Sequence, residues 1–195
     1  MARADVIVIG LGAMGGAACR SLAARGASVL GIDRFSPPHD LGSTHGDTRI
    51  TRLAIGEGQE YVPLARRSRE LWRELERETG ADLLTQAGVL ILGPPSSRFL
   101  RETRLAARQY GIEHEDLTGA QIAPRYPMLA LGEQTETEAY FEPEAGFLRP
   151  EAAVAAQLRL ARRDGAQLRL GERVLRWSAS ADGVSVTTDS GTHHG

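Results

Sequence analysis

The first 33 residues carry the apolar and polar pattern of one β-α-β unit. Asp5–Ile9 is a compact β-branched run, typical of a strand that is covered on both faces. A glycine-rich segment, GLGAMGG, leads into a small-residue helix over Ala13–Ala24 that ends at Gly26, and a second strand follows over Ser28–Asp33. This length predicts two parallel strands joined by a right-handed crossover.

The rest of the chain breaks this rhythm and then predicts further helices and strands. Residues 34–60 contain two prolines and several glycines and show no helical or strand period. The helices predicted after them are an amphipathic one over Val62–Glu78, with Leu64, Leu71, Trp72 and Leu75 on its apolar face, then Ser97–Tyr110, a short one from Thr118 to about Pro124, and Glu151–Arg163, preceded by Pro150. The predicted strands are a buried one over Gly88–Leu92, a solvated edge strand within the acidic segment 132–144, and short strands after Ala166 with a hairpin turn at Asp182-Gly183. The last residues predict a strand and a turn without a returning strand, which favours a fragment of a longer protein.

The composition is that of an ordinary globular protein, and it excludes several functions. Of 195 residues, 42% are hydrophobic and 25% charged, with no apolar run long enough to span a bilayer. The net charge of -2 gives no general attraction to nucleic acid or to anionic membranes. All 23 basic residues are arginine, so a P-loop lysine and a Schiff-base mechanism are excluded.

The cysteine and the histidines predict little chemistry. Cys19 is the single cysteine, so no disulfide can form within the chain, and the N-terminus lacks the apolar core of an export signal. Both features favour the cytoplasm. No metal site is predicted, because the adjacent His193 and His194 form a polar terminus without a third ligand, and His39 is interpreted as a surface residue.

The glycine-rich segment predicts a dinucleotide-binding turn. Gly10 allows the tight turn out of the strand, Gly12 lets the backbone approach a pyrophosphate, and Gly15 lets helix and strand pack closely. The helix N-terminus at Ala13 and Met14 then offers free N–H groups and the positive end of its dipole to the phosphates.

Asp33 narrows the choice of dinucleotide. It lies 18 residues after Gly15, at the end of the second strand, where a carboxylate accepts hydrogen bonds from ribose hydroxyls and disfavours the 2′-phosphate of NADP. The long excursion over residues 34–60 favours FAD, because a flavin nucleotide needs more backbone around it. An NAD-dependent dehydrogenase remains an alternative, and so does a structural glycine turn with an incidental aspartate.

Several longer motifs carry a resemblance to a known family. They are VIVIGLGAMGGAA, then DRFSPPH and GSTHGDTRITRLAIGEGQEYVPLARRSRELW, and finally TQAGVLILGP, FEPEAGFLRPE and GERV. With these motifs the chain resembles the monomeric sarcosine oxidase and N-methyltryptophan oxidase family, FAD-dependent amine oxidases of the D-amino-acid oxidase superfamily. The resemblance covers nearly the whole chain but only about the N-terminal half of the family's usual length.

The resemblance implies a fold and an activity. The fold is α/β, with a glutathione-reductase-like, Rossmann-type FAD-binding domain (residues 1–80 and 145–195) interleaved with part of a mixed-sheet substrate domain (residues 81–144). In the family, an N-methyl amino acid such as sarcosine passes a hydride to the flavin, the imine hydrolyses, and reoxidation by dioxygen releases hydrogen peroxide. A monomer with only these small molecules as partners is implied. The alternative for a half-length chain is a non-catalytic FAD-binding module.

The resemblance also implies roles for individual residues. The FAD fingerprint is matched by Gly10, Gly12, Ala13, Met14, Gly15, Asp33 and Arg34. Ser43 and Thr44 match a small polar turn on the phosphate side, although family members often have His in place of Thr44, and Val174 matches the position whose backbone meets the adenine. The candidate catalytic residues are His45, Thr48 and Arg49, which match positions beside the flavin ring, and Arg52, which matches the arginine that helps hold the substrate carboxylate.

The spacing of the two arginines agrees with these roles. If Asp47 caps a helical turn, Arg49 and Arg52 fall on one side of it. A guanidinium can bind a carboxylate through two parallel hydrogen bonds, so one arginine suits the flavin's polar edge and the other an amino acid. The alternative is a surface arginine pair, either solvated or bridged to Glu57 and Glu60.

Overall fold

The computed structural model describes residues 3–129 and 136–195, which form two compact units. The first unit comprises Met1–Thr48, Leu75–Leu83 and Arg149–Gly195, and the second comprises Arg49–Glu74 and Leu84–Leu148. Residues 49–74 pack within the second unit, whereas the domain bounds that the family resemblance implies put them in the first domain.

The elements lie largely where the periodicity predicts them. The chain runs through β1 (Val6–Ile9), α1 (Ala13–Ala23), β2 (Val29–Asp33), β3 (Arg49–Thr51), a 3-10 turn (Gln59–Tyr61), α2 (Val62–Thr79), β4 (Leu84–Gln86), β5 (Val89–Gly93), α3 (Arg98–Tyr110), β6 (Glu115–Thr118) and α4 (Gly119–Arg125). It continues through β7 (Glu138–Glu142), β8 (Gly146–Leu148), α5 (Pro150–Arg163), β9 (Gln167–Leu170), β10 (Val174–Ser180), β11 (Gly183–Thr188) and β12 (Thr192–His194). An α/β fold with parallel and antiparallel sheets is thus confirmed. The short strands β3, β4, β6 and β8 were outside the predictions, because three or four residues are too few to show a period.

A parallel sheet in the order β1-β2-β9 organises the first unit. Val6 pairs with Val29, and Leu30 pairs with Gln167, which confirms the β-α-β unit. All residues of β2 are buried, as expected for a central strand covered on both faces. One face packs on α1 and α5, and the other contributes Leu30 to a cluster with Val186 of β11.

The antiparallel sheet β10-β11-β12 corrects the prediction of an unreturned strand. β10 and β11 form the predicted hairpin, but its two turn residues are Ala181 and Asp182, one position before the predicted Asp182-Gly183. β12 then pairs back along β11, with His193 opposite Val186. His193 is therefore not part of a polar terminus: it is buried, and its Nε2 lies 2.6 Å from Glu172 Oε1.

Two antiparallel sheets, β3-β8-β4 and β5-β7-β6, form the second unit. The prediction of an edge strand for β7 is wrong, because β5 and β6 pair with its two sides. Residues 132–135 of that predicted segment lie outside the described residues. The acidic segment is not simply solvated either, since Glu142 is fully buried.

The amphipathic helix α2 is only partly a core element. Leu75 is fully buried as predicted, but Leu64 is 67% exposed and Leu71 is 39% exposed. Among the described residues, no helix combines the length and apolar character that crossing a membrane requires.

Candidate dinucleotide site and arginine loop

The glycine turn between β1 and α1 has the geometry that the sequence predicts. Gly10 has φ +86°, a left-handed conformation that favours glycine, and its N–H donates to the Ile32 carbonyl at 2.8 Å. A Cβ atom at Gly15 would overlap the Gly10 carbonyl oxygen, so only glycine lets α1 start this close to the strand end. Ala13 begins α1, and Met14 in its first turn is 86% exposed.

The Asp33 carboxylate closes the turn from the end of β2. Its Oδ2 accepts the Leu11 N–H at 2.7 Å, and its Oδ1 accepts the Phe35 N–H at 2.8 Å. The side chain is almost fully buried, so these bonds satisfy a charge that would otherwise be costly. Each oxygen keeps a further lone pair for a ligand hydroxyl. Next to it, the Arg34 guanidinium carbon lies 4.4 Å from the Phe35 ring centroid.

The polar segment after the prolines contacts the start of α1. The Thr44 hydroxyl accepts the Ala13 N–H at 3.3 Å, and a Cβ atom at Gly12 would lie 3.3 Å from the same oxygen. Gly12 therefore keeps open a small space between Thr44 and the helix N-terminus, which is where a phosphate gains most from N–H donors and the helix dipole.

The Glu151 carboxylate, which the sequence analysis did not predict as a site residue, holds the backbone at Gly46 and Asp47. Glu151, in the first turn of α5, accepts the Gly46 N–H at 2.6 Å through Oε1. Backbone donors, chiefly its own and that of Gly46, together with the nearby His45, lower the pKa of Glu151. An acidic residue after a proline at a helix start was the available signal.

Two adjoining cavities of the first unit share Asp33 and His39. The larger, of about 380 Å³, is lined by Ile9, Gly10, Ile32, Asp33, Arg34, Phe35, His39, Leu41, Glu172, Arg173 and Val174. The smaller, of about 210 Å³, is lined by Gly12, Asp33, Pro37, Pro38, His39, Gly42, Ser43, Thr44 and Val154. The cavities thus bring together predicted residues from the glycine turn, the end of β2, the polar segment and the start of β10.

His39 is a second residue that the sequence reading missed, since it lines both cavities instead of lying on the surface. Its Nδ1 accepts the Leu41 N–H at 3.2 Å, which places the proton of a neutral ring on Nε2. The Nε2 atom is buried, lies 3.7 Å from Asp33 Oδ1, and makes no hydrogen bond with any described residue. A buried donor of this kind fits a ligand oxygen, so the donor set suits a dinucleotide.

The remaining predicted residues of the first unit line neither cavity. These are Ala13, Met14, Gly15, His45 and Thr48. Gly15 acts through helix packing, and the Thr48 N–H donates to the Gly46 carbonyl at 2.6 Å.

The predicted helical turn around the two arginines is wrong. Arg49 lies in β3 and pairs with Leu148 of β8, and Asp47 has φ +59° in the preceding turn. An aspartate tolerates this left-handed conformation, which reverses the chain before a strand instead of capping a helix.

Arg52 follows β3 in the second unit and forms an ion pair with Glu57 of the same chain. Its Nη2 lies 2.6 Å from both oxygens of Glu57, and its guanidinium carbon lies 5.5 Å from the Phe99 ring centroid. The side chain is 20% exposed, and Nε is buried without a hydrogen bond to the described residues. Of the predicted alternatives, a bridge to Glu57 is thus present in this structure.

Comparison with known proteins shows which family the chain belongs to. The family model "FAD dependent oxidoreductase" (DAO) matches residues 5–195. Monomeric sarcosine oxidase from Streptomyces avermitilis is 45% identical over 97% of this chain and 49% of its own length. N-methyl-L-tryptophan oxidase from Yersinia pestis is 39% identical over 97% of this chain and 50% of its own length.

The structural comparison agrees. NikD, an unusual amino acid oxidase essential for nikkomycin biosynthesis, superimposes with a TM-score of 0.86 at 30% identity, over 99% of this chain and 49% of NikD. L-proline dehydrogenase from P. horikoshii shares the fold with a TM-score of 0.81 at 23% identity, over 98% of this chain and 50% of that protein.

The chain spans about half the length of these relatives. The resemblance that the motifs carry is confirmed, and so is the choice of FAD over NAD as the family's cofactor. The glycine turn, the carboxylate that closes it and these relatives lead to one assignment: the chain belongs to the FAD dependent oxidoreductase family.

Proposed function

We propose that this chain binds FAD and contributes the substrate-carboxylate arginine to an oxidase of N-methyl amino acids such as sarcosine. The observation that carries the proposal is the pair of cavities that meet at Asp33, with the glycine turn and the start of α1 beside them. The substrate class rests on the relatives named monomeric sarcosine oxidase and N-methyl-L-tryptophan oxidase.

In this proposal the first unit is the FAD-binding domain, of the glutathione-reductase-like type. The Gly12 backbone, Ser43 and Thr44 would hold the pyrophosphate, and Asp33 would accept ribose hydroxyls. The larger cavity would take the adenosine, with the backbone at Val174 beside the adenine. Arg34 would cover the outer side of this cavity. The second unit would form part of the substrate domain.

When bound, FAD supplies the hydride acceptor that no amino-acid side chain can provide. The contribution of the chain is binding and orientation. Arg52 would bind the substrate carboxylate through two hydrogen bonds, which fixes the position of the reacting C–N bond and lowers the entropic part of the barrier. His45, Thr48 and Arg49 are the proposed residues beside the flavin ring, as the family resemblance implies.

We also propose that only small molecules, an amino acid and dioxygen, are its reaction partners. The name of the sarcosine-oxidising relatives supports a monomer. Cys19 is free and buried, which is consistent with the proposed cytoplasmic compartment.

A titration with FAD tests the cofactor part. Protein fluorescence is expected to be quenched saturably by FAD and far less by NAD. Gly12→Val should weaken FAD binding about tenfold or more, because its side chain would enter the space beside Thr44 and keep the pyrophosphate from the backbone. Ser21→Val, at an exposed position further along α1 that lines neither cavity, is the matched control. Protein that shows no flavin absorbance after the excess FAD has been removed contradicts the proposal.

A peroxide assay with sarcosine then tests the activity. Peroxide that appears with sarcosine and disappears in Arg52→Gln at the same substrate concentration supports the oxidase. Saturable FAD binding without peroxide instead identifies a non-catalytic flavin-binding module. This alternative applies because the chain matches only 49% of the length of the sarcosine oxidase relative.

A further inference from the structure

A buried carboxylate in the second unit holds the backbone that directly follows Arg52. Glu142, the last residue of β7, is fully buried. Its Oε1 accepts the Leu53 N–H at 2.7 Å, and its Oε2 accepts the Ala54 N–H at 3.1 Å. The Tyr140 hydroxyl, two residues earlier on the same strand, donates to Oε2 at 3.0 Å.

The two amide bonds to Glu142 take the place of the β3–β8 ladder directly after β3 ends. β3 ends at Thr51, which pairs with Gly146, and the next two buried N–H groups belong to Leu53 and Ala54. Buried backbone donors require an acceptor, and a charged acceptor makes the stronger bond. Arg52 is therefore held by the ladder on its N-terminal side and by the Glu142 carboxylate on its C-terminal side.

The surroundings of the carboxylate keep this arrangement intact. Burial, and secondly the charge of Glu142, raise the pKa of Tyr140, so its hydroxyl remains a donor to the carboxylate. A Cβ atom at Gly56 would overlap the Thr103 hydroxyl, so the loop after Arg52 is also packed closely on α3.

We propose that Glu142 is a positioning residue for Arg52: by holding the Leu53 and Ala54 amides, it fixes the direction in which the guanidinium meets a substrate carboxylate. This inference rests on the carboxylate-binding role proposed for Arg52. Glu142 itself touches neither substrate nor cofactor in this scheme.

The test uses the ¹⁵N-labelled chain and the Arg52 Nε–Hε resonance, assigned from its loss in Arg52→Lys. Sarcosine is titrated while this resonance is followed, and hydrogen exchange is measured at Leu53 and Ala54. In Glu142→Gln one amide N–H meets an NH₂ donor instead of an oxygen. The variant is expected to accelerate exchange at these two amides, shift the Arg52 resonance, and weaken sarcosine binding about fivefold or more.

Three further variants separate positioning from general stability. Tyr140→Phe removes a donor to the carboxylate but leaves both amide bonds, and should keep sarcosine affinity within about twofold. Glu138 lies on the same strand and accepts a hydrogen bond from Arg104, so Glu138→Gln should behave likewise. Glu142→Asp keeps the charge on a shorter side chain and is the second test if Glu142→Gln does not fold, with an intermediate loss of affinity expected.

The outcomes are distinct. If either Glu142 variant accelerates exchange while the Arg52 resonance and the sarcosine affinity stay unchanged, Glu142 is merely structural and the inference is overturned. Affinity in Arg52→Gln is followed at the Leu53 and Ala54 amide resonances, and if it is unchanged, the proposed function fails instead. In that case the Arg52 resonance in Glu142→Gln still decides whether Glu142 orients the guanidinium.

Discussion

The Arg52 Nη2 atom lies 2.6 Å from each carboxylate oxygen of Glu57, five residues further along the chain. The pair holds Arg52 with the same chemical group that an amino acid substrate presents. Because Glu57 is 58% exposed, solvent screens the pair and another carboxylate can replace it.

Replacing Glu57 should therefore strengthen carboxylate binding at Arg52. Glu57→Gln removes the competing charge, and sarcosine affinity, measured by titration of the Arg52 resonance, is expected to rise about threefold, a free energy typical of one exposed pair. Glu60→Gln, an exposed acid beside the same loop, is the control and should leave affinity unchanged. Equal affinities of Glu57→Gln and the unsubstituted chain would show that the pair does not compete with ligand.

Asp33 is expected to stabilise both the fold and FAD binding. In Asp33→Asn an NH₂ group faces either the Leu11 or the Phe35 amide, so one buried bond is lost and the free energy of unfolding should fall by about 1–3 kcal/mol. Urea denaturation measures this loss. The FAD titration, carried out without urea so that Asp33→Asn is fully folded, should show weaker binding. The exposed Asp40→Asn is the control, and similar behaviour of the two variants would refute a specific role for Asp33.

Gly15 should not tolerate even one methyl group. Gly15→Ala would press Cβ against the Gly10 carbonyl and is expected to destabilise the chain by about 3 kcal/mol, the upper end of overpacking costs. Thermal or urea unfolding checks this, with Gly42→Ala as the variant that has room for its Cβ. A stable Gly15→Ala would mean that α1 can move away from the strand end at little cost.

The contacts of Glu172 with Thr188 and His193 should make the free energy of unfolding depend on pH in the acid range. Burial alone raises the pKa of Glu172, but hydrogen bonds from Thr188 and His193 outweigh it, so the pKa lies below the ordinary value of 4.5. A carboxyl with a lowered folded pKa contributes stability that is fully present above its ordinary pKa and is lost as pH falls through the folded pKa.

The free energy of unfolding should consequently fall more steeply from about pH 5 to about pH 3 in the unsubstituted chain than in Glu172→Gln. Urea denaturation across this range measures both slopes. Glu70→Gln, which changes an exposed acid on α2, should retain the steep slope. Parallel curves for Glu172→Gln and the unsubstituted chain would contradict the assignment.

Local pattern was sufficient for the β-α-β unit and for the helices, because each of these elements is long enough to show its own period or cap. The glycine turn was predictable down to the separate roles of Gly10 and Gly15, since both follow from backbone sterics alone. The cofactor choice came from the longer motifs and was confirmed by the family.

Features that depend on distant partners were not predictable. The partners of Glu142 at residues 53 and 54 are almost 90 positions away, so the sequence alone predicts only an exposed acidic side chain at position 142. Likewise β3 is a strand only because β8 pairs with it, and its three residues gave no signal against a helical turn. Long-range pairing, not local preference, decided these segments.

The tie between Glu151 and the amide of Gly46 joins positions 105 residues apart. On a ribosome, the glycine turn and Asp33 emerge early, but Glu151 and the Glu172–Val174 wall of the larger cavity emerge much later. The nascent chain therefore cannot complete its nucleotide cradle during the first three quarters of the synthesis of these residues. The FAD binding proposed above must therefore follow the synthesis of residues 172–174, which complete the wall of the larger cavity.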